Sequence, residues 1–514
     1  MIENAGVPRS RFSGSWTRKT TFDAGLLVPI LVDEVLPGDH LSYDVTAYVR
    51  MATPLFPLFD NQRIDSFFFF VPNRLVWDNW AKFMGEQEEP GDSVAYTIPQ
   101  LVSPPGGFPA HSLADHFGLP GEGQFSPGYT IYVNALPFRA YNLIFNHWFR
   151  DQQLVSPRPV PKGDGPDNPA DYQLMRRAKA HDYFTSALPW PQRHVSPSLP
   201  LGGLAPVVGI GTINDTGSVG PFGAYETGGS TSYAHYHQNL VMEMSTNIGA
   251  TPQVYADLSE ASGVAIETFR QAFLVQSLLE RDARGGSRYV EMIRAHFGVT
   301  SPDFRLSRPE YIGGGQSSLQ LTPVAQTAPT PGAPVGALGA AGTSVGSHRA
   351  SYAATEHGYI IGLINVRTEL SYGQGVHRMW SRRTRFDFYW PALAGLGEQA
   401  ILRQELWAVG EDNYDEAVFG YQERWHEYRA RYSEVTGLMR SQVPGTLDAW
   451  HLAERFETVP WLNQTFIEDN PPMVRVLAAG ELAEHQQYLA DILFQRNAVR
   501  PIPLFGTPVS LGRF

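Results

Sequence analysis

The chain contains no cysteine. Disulfide staples, thiolate zinc sites and cysteine nucleophiles are therefore excluded, and assembly in a reducing compartment is compatible with the composition. Charge is also scarce: Asp, Glu, Lys and Arg make up 18% of the residues, against roughly 25% in ordinary soluble domains. Long apolar runs are missing as well. The longest, such as Ala24–Val32 and Phe67–Val71, fall well short of the roughly 20 residues that cross a bilayer, so no membrane span is expected. The opening Met-Ile-Glu-Asn lacks the basic and then apolar regions of a signal peptide.

Aromatic residues, by contrast, are plentiful at 12%. Low charge with many aromatics suits surfaces that are covered by other chains, because interface cores lose charge and gain Tyr, Trp and Phe. A β-rich monomeric enzyme shares that bias. The net charge of −12 argues against a protein that coats nucleic acid over its whole surface, yet leaves room for a local basic patch. A length of 514 residues fits several ordinary domains, or one elaborated β domain with large insertions.

The first 75 residues read as strands. Leu41, Tyr43, Val45, Ala47, Val49 and Met51 alternate with more polar residues, which predicts a strand with one buried face. Before it, Gly25–Val32 is apolar but holds Pro29, which favours an edge or bulged position, and Pro37-Gly38-Asp39 supplies a turn. After it, Ile64–Val71 carries four consecutive phenylalanines and can hardly be solvated on either face. Helices are expected at Arg74–Met84, from Pro137 onward, at Ser262–Arg284, Arg288–Phe297, Tyr421–Tyr432 and Leu482–Phe494. Residues 200–233 and 322–351 have loop composition, the latter rich in Pro, Gly and Ala. Strand signals return at His357–Leu370 and Arg385–Tyr389. Short strands separated by very unequal excursions suit a Greek-key sandwich with decorated loops.

Specific strings then narrow the reading. They include KTTFDAG from Lys19, VDEVLPGD from Val32, FFFVPNRLVWDNW from Phe68, LPFRAYNLIFNHWFRD from Leu136 and HDYFTSALPWP from His181. Further along come LERDARGGSRY from Leu279, HFGVTSPDFRLSRPEYIGGG from His296, TEHGYIIGL from Thr355, RMWSRRTRFDFYWPA from Arg378 and FGYQERWHEYR from Phe419. In this order, from about Arg11 to the C-terminal GTPVSLGRF, the series resembles the major capsid proteins of the Microviridae, closest to the gokushovirus branch. It thins over residues 87–130, 200–260 and 322–350.

The resemblance implies a mainly β fold: one eight-stranded viral jelly roll over residues 1–514, with large mixed helical and loop insertions. It further implies a T=1 shell of sixty copies, located in the virion and assembled in the host cytoplasm, around a circular single-stranded DNA genome. Residues 200–260 are the candidate for a surface insertion that builds threefold protrusions. The partners implied are the genome, a small basic DNA-binding viral protein, a minor or pilot protein and a bacterial surface receptor. Sixty copies at −12 each cannot neutralise a genome by bulk charge, so a separate basic peptide or abundant counterions is expected.

One stretch stands out as a nucleic-acid candidate. Arg378, Arg382, Arg383 and Arg385 interleave with Trp380, Phe386, Phe388 and Tyr389. Arginine forks bind phosphates and aromatic faces stack on unpaired bases. The alternative is that these arginines pair with carboxylates. Arg9, Arg11, Arg18 and Lys19 read as a basic N-terminal arm, either a tether to genome or neighbour or a disordered tail. Arg176, Arg177 and Lys179 read as a solvated face.

Signals for catalysis are poor. Gly209-Ile210-Gly211 and Gly313-Gly314-Gly315 lack the rest of a dinucleotide fingerprint. His235 and His237 lack a third metal ligand, Glu86, Glu88 and Glu89 read as a solvated loop, and Gly-x-Ser-x-Gly is absent. Neither a cofactor, nor a metal, nor a catalytic residue is expected. The competing class is a carbohydrate-active β-sandwich, glycosidase or lectin-like, which the Trp and Tyr content would suit. A glycosidase needs two converging carboxylates, and nothing in the sequence nominates a pair.

Overall fold

The computed structural model of the chain describes residues 8–194 and 266–505, less a few short gaps, and isolated residues between them. The long strands are β1 (Ser10–Phe22), β2 (Val28–Val35), β3 (His40–Met51), β4 (Gln62–Pro72), β5 (Glu310–Ser318), β6 (Gln320–Ala325), β7 (Leu338–Ala353) and β8 (Gly358–Thr368). A short hairpin, β9 (Glu398–Leu402) and β10 (Val418–Glu423), precedes the last, β11 (Tyr488–Arg500). In β3 the six alternating apolar residues are all buried. β2 lies at a sheet edge and its register slips between Leu31 and Pro29, so Pro29 is at an edge and beside a bulge.

Hydrogen bonding runs in the order β1-β11-β3-β7-β5-β4-β8-β2, with β6 beside β7. Each of these pairings is antiparallel. In its middle the path narrows: β7 and β5 share a single residue pair, Gly313 with Ala350. Two groups of four strands therefore result. They enclose one core, which holds Phe22, Val45, Phe68, Phe70, Ile364 and Phe494. The chain crosses from one group to the other at β1–β2, β2–β3, β3–β4, β5–β6, β7–β8 and, through the second insertion, β8–β11, the connectivity of a jelly roll.

Two long insertions leave this frame, residues 73–309 between β4 and β5 and residues 369–487 between β8 and β11. The first packs α1 (Leu136–Ile144) over the outer face of β4 and β8, where Phe69, Val71, Ile361 and Leu363 join Tyr141, Ile144 and Phe149 in a second core. Strand β4 is thus apolar on both faces, with Phe68 and Phe70 inward and Phe69 and Val71 outward. That accounts for its unbroken phenylalanines. Within the insertion Arg139 is fully buried and holds Asp167 at 2.6 Å, while its Nη1 donates to the carbonyls of Val76 and Gly163.

Residues 192–285 form a separate unit, in which α2 (Ile266–Arg284) is described. The next helix, α3 (Tyr289–Phe297), ends at Gly298 in the left-handed conformation. Most of the 200–260 insertion lies outside the described residues.

Several expected elements differ. Residues 322–351, expected as a loop, are largely the antiparallel pair β6–β7, because small residues suit a strand packed closely against its neighbours. A Cβ on Gly342 would come within 2.9 Å of the Met51 side chain. Tyr421–Tyr432, expected as a helix, is the end of β10 and a 3-10 turn, separated by Trp425 at φ +68°. Leu482–Phe494, also expected as a helix, is mostly β11, whose Tyr488, Ala490, Ile492 and Phe494 alternate into the core between β1 and β3. Arg74–Met84 is only two short turns, and Arg385–Asp387 is a 3-10 turn rather than strand.

Candidate nucleic-acid interface

The Arg378–Tyr389 stretch lies in the second insertion as a chain of 3-10 turns, Arg378–Ser381, Arg385–Asp387 and Pro391–Leu393. Asp387 holds the middle turn by accepting from the backbone N–H groups of Arg383 at 2.9 Å and Thr384 at 2.6 Å. Those bonds keep its carboxyl below the usual carboxylate range.

Its four arginines divide into two pairs. Arg378 donates to Glu405 at 3.0 Å and to the Ala400 carbonyl at 2.7 Å. Glu405 is buried, which raises its pKa, and it also accepts from the Tyr183 hydroxyl. Arg382 donates to Glu427 at 3.1 Å, with its guanidinium over the Tyr428 ring at 4.5 Å. These two arginines are committed to internal carboxylates, as the alternative reading proposed.

Arg383 and Arg385 are different. The Arg383 side chain is 82% exposed, with Glu416 no nearer than 3.9 Å. Arg385 is exposed and lies over the rings of Phe386 and Trp390 at 5.0 and 5.8 Å. Around them Trp380, Phe386, Phe388, Tyr389 and Trp390 are all solvent-exposed, Trp380 at 74%. Large aromatics exposed together with exposed guanidinium groups make a surface on which unpaired bases can stack and phosphates can bind.

Arg424, which the sequence reading passed over, belongs to the same place. Its guanidinium lies 4.4 Å from the Trp425 ring, and it lines a cavity of about 440 Å³ with Arg378, Arg382 and Arg383. The Arg-Trp pair within FGYQERWHEYR was the available signal.

The basic N-terminal arm is not an arm. From Ser10 it is strand β1, paired along its length with β11. Arg11 donates to Asn497 at 3.0 Å and Lys19 pairs with Asp491. Arg18 turns inward, donating to the carbonyls of Ile30 and His116, and burial lowers its pKa. The arginines at 176 and 177 and Lys179 are not a solvated face either. Arg177 pairs with Asp65 at 2.6 Å, Lys179 with Glu454 at 2.9 Å, and Arg176 donates to the carbonyls of Ala24 and Asp469. Their partners are 100 residues and more away in sequence, so local charge density could not reveal them.

Gly313, Gly314 and Gly315 sit in β5, where a Cβ would come within 2.5 Å or less of Arg349, Ser66 or His348. They serve close strand packing, not phosphate binding. Among the described residues no three His, Asp or Glu side chains converge to hold a metal, and His235 and His237 lie outside those residues. No helix among them is long and apolar enough to cross a membrane.

The model of the family described as "Capsid protein (F protein)" matches residues 1–510 of the chain. The chain belongs to the F-protein capsid family. It is 46% identical over 530 residues to capsid protein VP1 of Bdellovibrio phage phiMH2K, covering 100% of this chain and 97% of that protein. Capsid protein VP1 of Chlamydia phage 1 is 37% identical, with 99% and 96% covered. Spiroplasma virus 4 has a capsid protein VP1 that is 35% identical, again with 99% and 96% covered. The resemblance to Microviridae capsid proteins therefore stands, and the F-protein jelly roll described above agrees with it. This F-family chain is a structural protein of the virion rather than an enzyme, and nothing supports the carbohydrate-active alternative.

Proposed function

We propose that sixty copies of this capsid protein close a T=1 icosahedral shell around a circular single-stranded DNA genome. The exposed face of residues 380–390 is its genome contact. The observation that carries the DNA assignment is the coexistence of exposed Arg385, with no carboxylate partner among the described residues, and of Arg383, 3.9 Å from Glu416, with five exposed aromatic rings on one short segment. The other five candidates from the sequence, all basic, play smaller parts or none. Arg378 and Arg382 position the segment, Arg11 and Lys19 are secondary contacts at most, and Arg18 is turned inward.

The net charge of −12 per subunit leaves bulk neutralisation of the genome to counterions or a small basic viral protein. A minor or pilot protein and a host surface receptor complete the partners, the receptor meeting the 200–260 insertion at the threefold axes. Assembly takes place in the host cytoplasm. Electron microscopy of the purified protein, with and without single-stranded DNA, tests this reading. Uniform shells with nucleic-acid density against Trp380 and Arg385 are expected. Failure to assemble under any salt or DNA condition overturns the shell, and density lying only elsewhere overturns the contact.

A further inference from the structure

Strand β1 closes one side of the sandwich, and its outer edge is open. It pairs with β11 over all 13 of its residues, and no other main chain among the described residues bonds to it. An edge strand turns the N–H and C=O groups of alternate residues away from its one neighbour. Near one end this edge is covered, where Arg18 donates to the carbonyls of Ile30 and of His116 in the short helix Leu113–Phe117. Before that point Ser13, Gly14, Ser15, Trp16 and Thr17 are all exposed, so the strand meets solvent on both of its faces.

Proteins guard such an edge with charge, proline, a bulge or a covering segment. Phe12–Thr17 holds no charged residue and no proline, and its ladder to β11 runs without a bulge. The edge strand of the other group differs, since Val28, Pro29, Ile30 and Leu31 of β2 are buried. A long, flat and unguarded edge is a template for another strand. For a chain of a capsid family, the partner in constant supply is a second copy of itself.

The alternation fixes how two such edges can meet. In an antiparallel ladder, opposed residues must both turn their main-chain groups toward the partner or both turn them away. Two identical strands therefore pair about a twofold axis that passes through a residue, never between two. Three axes lie in the middle of the open edge. An axis at Ser15 sets Arg11 against Lys19, and an axis at Ser13 leaves Phe12 opposite Gly14. An axis at Gly14 sets Phe12 opposite Trp16 twice and Ser13 opposite Ser15 twice, with no like charges opposed. Cross-strand aromatic pairs stabilise a sheet. Trp16 is already held by stacking on Phe494 at 5.5 Å. A Cβ on Gly14 would meet nothing within 4 Å, so its own subunit leaves the axis clear.

We propose that β1 joins β1 of a second copy, edge to edge and antiparallel, about a twofold axis at Gly14. The contact rests on the shell reading and names where its twofold contact lies. It is isologous, each copy giving and receiving the same groups, and it makes one sheet continuous across two subunits.

The chain has no cysteine, so single introduced thiols report this contact directly. Gly14→Cys puts a thiol at the axis, where opposed Cα atoms stand about 4.5–5.5 Å apart, within the span of a disulfide. Thr17→Cys is also exposed but stands opposite Arg11 of the second copy. On mild oxidation of the assembled full-length protein, Gly14→Cys is expected to give disulfide-linked pairs and Thr17→Cys none. Ser13→Cys and Ser15→Cys are expected to link only when the two are mixed. Gly14→Lys sets like charges at the axis and is expected to weaken association about ten-fold or more, with an unchanged circular dichroism spectrum. Mixing it with Gly14→Asp is expected to restore association.

Equal linking by Gly14→Cys and Thr17→Cys, or association of Gly14→Lys like that of the parent, overturns the contact. Gly14→Cys shells that form without linkage keep the shell reading and end this contact. Linked pairs that never close into shells do the reverse, and a protein that does neither ends both.

Discussion

Asp469 shows how a buried group of this protein should respond to pH. It lies among Arg177, Lys179 and Arg367, yet its Oδ2 has no partner among the described residues, and burial lifts its pKa to about 6. A folded-state pKa above the unfolded one means the native state binds the proton more tightly. The stabilisation is complete below about pH 4 and is lost as pH rises through about 6, by up to about 3 kcal/mol. For this group alone, the unfolding midpoint in urea should fall between pH 5 and pH 7. Asp469→Asn should flatten that dependence, and an unchanged slope would show that Asp469 does not carry it. None of this was legible in the sequence, because its surroundings come from residues 65, 177, 179, 367 and 454. The Arg378–Tyr389 pattern was legible as composition. Which arginines are free was not, since Glu405 and Glu427 reach Arg378 and Arg382 only through the fold.

At the scale of the element, strands with one buried face were readable and strands hidden in helix-forming sequence were not. β3 shows its alternation openly. The stretch that becomes β11, YLADILFQRNAVR, carries Leu, Ala, Gln and Arg, and their helical propensity is overridden by insertion between β1 and β3. The glycines of β5 give a sharp test of this packing. A Cβ on Gly314 would sit 2.1 Å from the Ser66 carbonyl oxygen, whereas one on Gly14 in β1 would meet nothing within 4 Å. Gly314→Ala should cost at least the roughly 1–3 kcal/mol of an overpacked site and cut the yield of soluble protein. Gly14→Ala should leave it intact. Equal yields would mean that β4 and β5 can separate without loss.

For the whole molecule, the ordered motif series made the family and the jelly roll legible, and the comparisons bear both out. Loop conformation was not legible, because insertions carry no fixed period. The subunit exposes many large apolar side chains, Phe59, Trp380 and Trp461 among them. Repeated modest contacts in a closed assembly can bury them. At micromolar concentration the protein is therefore expected to sediment as oligomers or shells, and a long-lived monomer would contradict this. Raised salt should leave such apolar contacts standing while it weakens DNA binding.

The place of β11 between β1 and β3 has a consequence for synthesis. Two strands from the first tenth of the chain wait, unpaired along one edge, until residues 488–500 have left the ribosome. A nascent chain cannot finish its sandwich, and so cannot offer a finished surface to its neighbours, before residues 488–500 are made. Products that stop before residue 488 are expected to be left out of the shell, because β1 and β3 then keep an open edge, which makes this strand a check on every subunit.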